Sequence, residues 1–257
     1  MKCITRQLDV RADETVEILP LADIHIGDKN SDIELVKKLI QTVRDIPNRY
    51  LILDGDLMNT AIVGSKSDVY SEIMTPSEEL KRCKEIFEPI KDKILCVLPG
   101  NHEERVTKTT GVCMTEILCR ELGIQSVYSP TSAVIFLKMG WYRKKGRPFV
   151  YTIYVNHGSG GGRKPGSKIS RLADYASIVD ADVFIVGHTH FPASFKQQTY
   201  RVNTSNSTVT LREQLFVNTA SALSYGGYGD RQGYQPGSNS YPVITLSHKE
   251  KKALCTL

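Results

Sequence analysis

Five times along this chain an apolar stretch stops at a short polar turn built from Asp, Asn, Gly and His. The turns are Asp23-Ile24-His25, Gly55-Asp56, Gly100-Asn101-His102-Glu103, His157-Gly158 and Gly187-His188-Thr189-His190. Five of the six histidines lie in them. Strands covered on both faces read as continuous apolar runs, and open α/β sheets gather their ligands beyond the carboxyl ends of the strands. Such punctuation constrains the chain to a fold that brings several strand ends to one place.

The first half alternates between two periods. Thr15 to Leu21 reads as a strand. Ser31 or Asp32 then caps a helix whose apolar face is Ile33, Val36, Leu39, Ile40 and Val43. Tyr50 to Leu53 is a buried parallel strand by its unbroken apolar run. Thr75 caps a second helix with Pro76 at its first position and Glu78 three residues after the cap. Ile94 to Leu98 is the next strand. This β-α-β-α-β order implies parallel pairing with right-handed crossovers.

Later segments change character. Ser132 to Met139 and Phe149 to Asn156 read as two strands joined by a basic turn, Lys138 to Arg147. A helix is expected over Lys168 to Val179 and a strand over Asp182 to Val186. Antiparallel strands are expected over Ala193 to Arg201, Gln214 to Ala220 and Pro242 to Ser247. The whole is expected to be an α/β fold, a four-layer α-β-β-α sandwich of two mixed sheets flanked by helices, with residues 1–257 as a single domain.

Composition narrows the class. At 257 residues the chain can bury a sizeable core, and no apolar run reaches the 18 or more residues of a membrane helix. The first residues lack the apolar stretch of a secretory signal, so a cytoplasmic location is expected. Six cysteines without Cys-x-x-Cys spacing read as reduced, mostly buried residues. The net charge of +5 is too mild for a dedicated nucleic-acid binder, yet it suits an anionic substrate.

Imidazole, carboxylate and carboxamide oxygen are ligands for divalent first-row cations. The five turns hold enough of them for two ions. Asp56 follows a glycine at a strand end and is the natural bridging carboxylate. Asp23 and His25 stand two apart on an extended segment and therefore point the same way; His188 and His190 repeat that relation. The chemistry such a pair of ions performs is the clamping of a phosphate ester and activation of water.

The ordered set Asp-x-His, Gly-Asp, Gly-Asn-His-Glu, His and Gly-His-x-His, running from residue 23 to residue 190, resembles the calcineurin-like metallophosphoesterase superfamily. The resemblance implies that one metal takes Asp23, His25, Asp56 and His190, and the other takes Asp56, Asn101, His157 and His188. It implies that His102 binds no metal but sits over the phosphate as general acid, with a hydroxide bridging the ions as nucleophile. Mn²⁺ is the expected ion, with Fe and Zn²⁺ as the other two suited to these ligands.

One position departs from the pattern. Many members carry a second Asp three residues after the bridging one, where it orients the catalytic histidine; here that residue is Asn59. An amide still accepts a hydrogen bond but favours imidazolium less. Some phosphodiesterase-type members also have Asn there. Arg105 has two readings, a contact to a phosphate oxygen or an ion pair with Glu103 or Glu104. Asp54 reads as a structural neighbour of the bridge, and His248 as an exposed bystander.

The superfamily fixes the reaction class and leaves the substrate open. A phosphodiester of nucleic acid or nucleotides is preferred on two features. One is the cluster Arg163, Lys164, Lys168 and Arg171 in and after the glycine-rich loop Ser159 to Ser167. The other is the segment Tyr225 to Ser240, whose tyrosines offer stacking faces together with Tyr241. The alternatives are a phosphomonoesterase acting on protein or nucleotide, and a non-catalytic scaffold on the same fold, like the retromer subunit of that superfamily. A scaffold is expected to lack ligands, and here every position is filled.

Overall fold

Residue parity divides the strands between a shared interior and an outer layer. The computed structural model, which describes residues 1–11, 13–65, 67–140 and 149–257, shows how. In chain order the elements are β1 (Lys2–Leu8), β2 (Thr15–Leu21), α1 (Ile33–Asp45), β3 (Arg49–Asp54), α2 (Pro76–Phe87), β4 (Ile94–Leu98), α3 (Asn101–Thr110) and α4 (Met114–Glu121). There follow β5 (Ser132–Met139), β6 (Phe149–Asn156), α5 (Pro165–Asp174), β7 (Val183–Val186), β8 (Ala193–Asn203), β9 (Thr208–Asn218), β10 (Val243–Ser247) and β11 (Ala253–Thr256).

One sheet has the order β1-β5-β6-β7-β9-β8 and the other β11-β10-β2-β3-β4. Both are mixed. In the first, β1 pairs parallel with β5, and β7 pairs parallel with β6 and β9, while β5–β6 and β8–β9 are antiparallel. In the second, β2, β3 and β4 run parallel, and β10 is antiparallel to both β2 and β11.

Every residue from Leu51 to Asp54 and from Ile94 to Leu98 is buried, as strands covered on both faces require. On the first sheet the parity is legible residue by residue. Ile135, Leu137, Ile153, Val155, Ile185, Leu215 and Val217 join the core shared with the second sheet. The alternate residues Val134, Tyr154, Phe184, Val186 and Phe216 pack instead with Leu172 of α5. Phe184, Phe216 and Phe195 stack there with ring centroids 4.6 and 4.7 Å apart. Each such ring pair adds about 0.5–1.5 kcal/mol beyond its burial.

Local signals place α1 and α2. Asp32 caps α1 by accepting from the Leu35 amide at 2.9 Å, and Val36, Ile40 and Val43 form its buried stripe. Thr75 and Glu78 close a capping box at the start of α2, with Pro76 in the first turn. α2 buries Cys83, Ile86 and Phe87, and both helices complete the shared core.

Some expectations shift. The helix expected over Lys168 to Val179 begins at Pro165 and ends at Asp174, after which Tyr175–Ser177 form a 3-10 turn. β9 is antiparallel only to β8. Four of these elements were not anticipated: β1, α3, α4 and β11. β1 buries only Ile4 and Leu8 and α4 is eight residues long, so neither carries much periodicity. Residues 141–147 of the expected basic turn, and the Tyr228 side chain, lie outside the described residues. All six cysteines are free thiols, and Cys83, Cys96 and Cys119 are buried. Among the described residues no helix is long and apolar enough to cross a membrane.

The consequence for the site is topological. β2, β3 and β4 of one sheet and β6 and β7 of the other all end on the same side of the sandwich, and each ends directly before one of the five polar turns.

Candidate metal centre

Three sets of side chains meet there. Asp23, His25 and His190 present ligand atoms within 4.8 Å of one another, and so do Asp56, His157 and His188. A third set, His25, Asp56 and His102, joins the other two. Asp56 Oδ2 lies 3.2 Å from His157 Nε2, and Asp23 Oδ1 lies 3.2 Å from His190 Nε2. The Nε2 atoms of His25 and His190 are 3.3 Å apart. Asn101 contributes Oδ1, 3.3 Å from His157 Nε2.

The convergence has a different origin from the strand alternation expected of Asp23–His25 and His188–His190. Asp23, His25, Asp56, His188 and His190 have φ of 54°, 53°, 50°, 67° and 50°. This left-handed region is costly for residues other than glycine and is tolerated where surrounding bonds fix it. Here they do. The Asp23 amide donates to Gly55 O and the His25 amide to Asp56 O, at 3.1 and 3.0 Å. Asp23 O accepts from the Ala222 amide at 3.1 Å, and Asp23 Oδ2 from the His188 amide at 2.9 Å. Gly100 is required by close approach, because a side-chain carbon there would overlap the Asp56 carboxylate.

Two observations fit these residues to divalent cations. Asp23 Oδ1 and His25 Nδ1 are buried without an aligned hydrogen-bond partner, a costly state that a bound cation nearby relieves. The donor set is also right, since buried carboxylates and neutral imidazoles suit first-row divalent ions. Electrostatics agree. Burial opposes ionisation of Asp56, yet the facing His157, His102 and His25 hold its carboxyl well below the usual range. Burial works against a charged His157 too, but Asp56 outweighs it and raises the imidazole. Protons and cations therefore compete for the same atoms.

Hydrogen bonds settle two tautomers. His157 Nδ1 donates to the backbone carbonyl of Asp54 at 2.6 Å, which leaves Nε2 to face Asp56. His102 Nδ1 donates to the backbone carbonyl of Asn59 at 3.1 Å, and its Nε2 lies 4.0 Å from Asp56 Oδ2. Burial, against the pull of Asp56, lowers His102 to about 4, so it is neutral at pH 7.

A family model described as calcineurin-like phosphoesterase matches residues 17–192, a span that takes in all five turns. The chain belongs to that family. Among solved structures it is similar to a predicted phosphoesterase of Streptococcus pneumoniae, at 13% identity over 95% of this chain and 99% of the other, with a TM-score of 0.40. It is also similar to Vps29 of Entamoeba histolytica complexed with zinc, at 13% identity over 94% and 97%, TM-score 0.42. A third is GAP50, the anchor in the inner membrane complex of Plasmodium, at 10% identity over 91% and 81%, TM-score 0.48. At such identities the likeness is confined to architecture. No curated protein sequence matches the chain.

Within this calcineurin-like phosphoesterase the remaining predicted residues fall as follows. Asn59 is 2% exposed, and its side chain turns away from His102 to donate to Glu72 Oε1 at 2.6 Å. The carbonyl that orients His102 belongs to its backbone instead. Arg105 pairs with neither Glu103 nor Glu104; its Nη1 donates to Ser67 Oγ at 2.8 Å, and Glu104 pairs with Lys108. His248 is half-buried rather than exposed, and its Nδ1 contacts the Arg11 carbonyl at 2.8 Å.

Sequence reasoning gave no role to Glu103. It is buried and accepts from the amides of Asp56, Met58 and Gly100 at 3.1, 2.9 and 2.8 Å, so it ties the second turn to the third. Burial pushes it up to about 7. The signal was present: Glu103 stands three residues after Gly100 at a helix start, the spacing of a capping box. Glu79, buried beside Thr60, had no such signal. Asp54 is buried, its carboxyl oxygens have no well-aligned hydrogen-bond partner among the described residues, and burial pushes it well up.

Proposed function

We propose that this protein hydrolyses phosphate esters with two divalent cations, held by Asp23, His25, Asp56, Asn101, His157, His188 and His190, and that its substrates are phosphodiesters of nucleic acid or nucleotides. One observation carries the reading. The two ligand sets Asp23/His25/His190 and Asp56/His157/His188 share no residue, and the set containing His102 joins them. Two three-ligand sets side by side are what a pair of ions needs.

When bound, the cations supply Lewis-acid polarisation of the phosphoryl oxygens and a lowered pKa for water in the site. The chain's own residues do the rest. His157 and His188 turn ring nitrogens into the site, the first with its Nδ1–H tied to Asp54 O so that Nε2 faces inward. His102 stands at the edge of both sets with Nδ1–H committed to Asn59 and Nε2 facing inward. An arriving phosphate is anionic and offsets the burial that keeps His102 neutral. The imidazole then takes a proton at Nε2 and delivers it to the leaving alkoxide.

A phosphodiester is favoured by the rim beside His188 and His190. Lys168 Nζ donates to the Thr189 carbonyl between those two histidines at 2.8 Å. Arg163 lies over the Tyr234 ring, 5.7 Å from its centroid. Gly237 packs against the His190 carbonyl. The glycine-rich loop and the tyrosine segment thus meet next to the candidate ligands, and together they offer cations for a second phosphate and a face for a base.

The test is a panel with Mn²⁺ present: single-stranded DNA, duplex DNA, cyclic nucleotides, an activated aryl phosphodiester and a phosphomonoester. Hydrolysis of diesters that EDTA abolishes is the expected result. Turnover of the monoester alone assigns the phosphomonoesterase reading, and full activity in excess EDTA ends the metal-dependent one.

A further inference from the structure

The group that orients His102 is the peptide linking Asn59 to Thr60. Its carbonyl accepts from His102 Nδ1 at 3.1 Å. Its N–H, that of Thr60, donates to Glu79 Oε2 at 2.7 Å. The chain imidazole–carbonyl–amide–carboxyl is continuous, and hydrogen bonds in series polarise one another. A carboxyl oxygen accepting on the N–H side makes the carbonyl a better acceptor on the other side. Glu79 thus reaches the imidazole through one peptide unit.

The surroundings are built to hold that peptide. Thr60 has φ of 43°, a strained value for a β-branched residue. Its Oγ1 donates to the His102 carbonyl at 2.5 Å, so the Asn59–Thr60 pair and His102 grip each other twice. Asn59 is held from the other side by Glu72 Oε1 at 2.6 Å. Glu79 is itself fully buried, and its carboxyl group fills the space over Gly27, where any side-chain carbon would overlap it. Gly27 follows the first metal turn by two residues, so the same segment that presents His25 also seats Glu79.

We infer that Glu79 is a positioning residue for His102, acting through the Asn59–Thr60 peptide, with Glu72 fixing Asn59 from the opposite side. Its consequence for turnover rests on the general-acid reading of His102; its consequence for the tautomer does not. By holding the proton on Nδ1, the arrangement keeps Nε2 as the atom that faces the substrate.

Two measurements test it. The first is the ring ¹⁵N spectrum of His102 in the metal-free protein. A single Nδ1–H tautomer is expected in the native chain and a mixture in Glu79→Ala, with Glu79→Gln restoring one tautomer because its amide oxygen still accepts from Thr60. The second is turnover of two aryl phosphodiesters with Mn²⁺ bound. Glu79→Ala is expected to lower kcat about 10-fold for a phenolate leaving group, which needs a proton, and by less than about 2-fold for dinitrophenolate, which does not, with KM unchanged. Should Glu79→Ala fail to fold, Glu72→Ala carries the same pair of measurements. An unaltered tautomer in the variant that folds overturns the inference. An altered tautomer in a protein whose His102→Ala variant keeps full turnover sustains the positioning and removes the general-acid reading alone.

Discussion

His157 gives its Nδ1 proton to the backbone carbonyl of Asp54 at 2.6 Å, and this bond aims its Nε2 at the Asp56 carboxylate 3.2 Å away. His157 is 5% exposed, so its orientation leaves few alternatives. A second-layer bond of this kind fixes both the tautomer and the direction of a metal ligand.

Apart from Asp56, which also reaches His25, the two ligand sets share no residue, so they should empty separately. His157→Ala is expected to lower bound Mn²⁺ from two ions to about one per chain, while Asp56→Asn weakens both sites. Metal analysis after gel filtration reads the ratio. Two ions retained by Asp56→Asn would show that this carboxylate does not bridge.

His102 belongs to neither disjoint set. His102→Ala should lower turnover of a phosphodiester by about 10²–10⁴-fold and leave the metal content at the native value. Loss of metal in this variant would make the imidazole a ligand instead.

Glu103 accepts from three backbone amides, and among the described residues no other acceptor is seen for them. Unmet buried amides cost about 1–3 kcal/mol each. Glu103→Ala should therefore destabilise the metal-free protein by about 3 kcal/mol or more in urea unfolding, and Glu103→Gln by much less. Equal stability of native protein and Glu103→Ala would contradict the bonding described.

Glu79 gives a pH dependence with a definite sign. Burial pushes its carboxyl up from 4.5 to about 8 in the folded protein. Its stabilising contribution is complete below the unfolded value and disappears as pH rises through the folded one, because the native state binds the proton more tightly. Between pH 5 and 8 the metal-free native chain should lose on the order of a few kcal/mol that Glu79→Gln does not lose. Parallel stability-against-pH curves for the two proteins would refute this.

The basic and aromatic rim predicts a split by substrate size. Arg163→Ala and Tyr234→Ala should each raise KM for single-stranded DNA about 5–150-fold, given stacking and phosphate contacts of about 1–3 kcal/mol. KM for a small aryl diester should stay within about twofold. Equal effects on both substrates would place these residues outside substrate recognition.

Sequence alone determined the elements whose signals are local. β2, β4, β5 and β6 have the expected boundaries, and α1 and α2 start at caps that Asp32 and Thr75 announce. Apolar period and capping chemistry act over a few residues, so they are legible without a fold. The identity of the five polar turns was legible for the same reason. Only tertiary structure decided how those turns aim. Left-handed backbone at Asp23, His25, Asp56, His188 and His190 exists because Gly55, Ala222 and Asp23 itself, from distant stretches, supply the bonds that hold it. Likewise Asn59 gave the wrong atom to His102 on paper, since a spacing of three residues names a side chain, whereas the contact is made by a backbone carbonyl whose peptide Glu79 holds from 19 residues away.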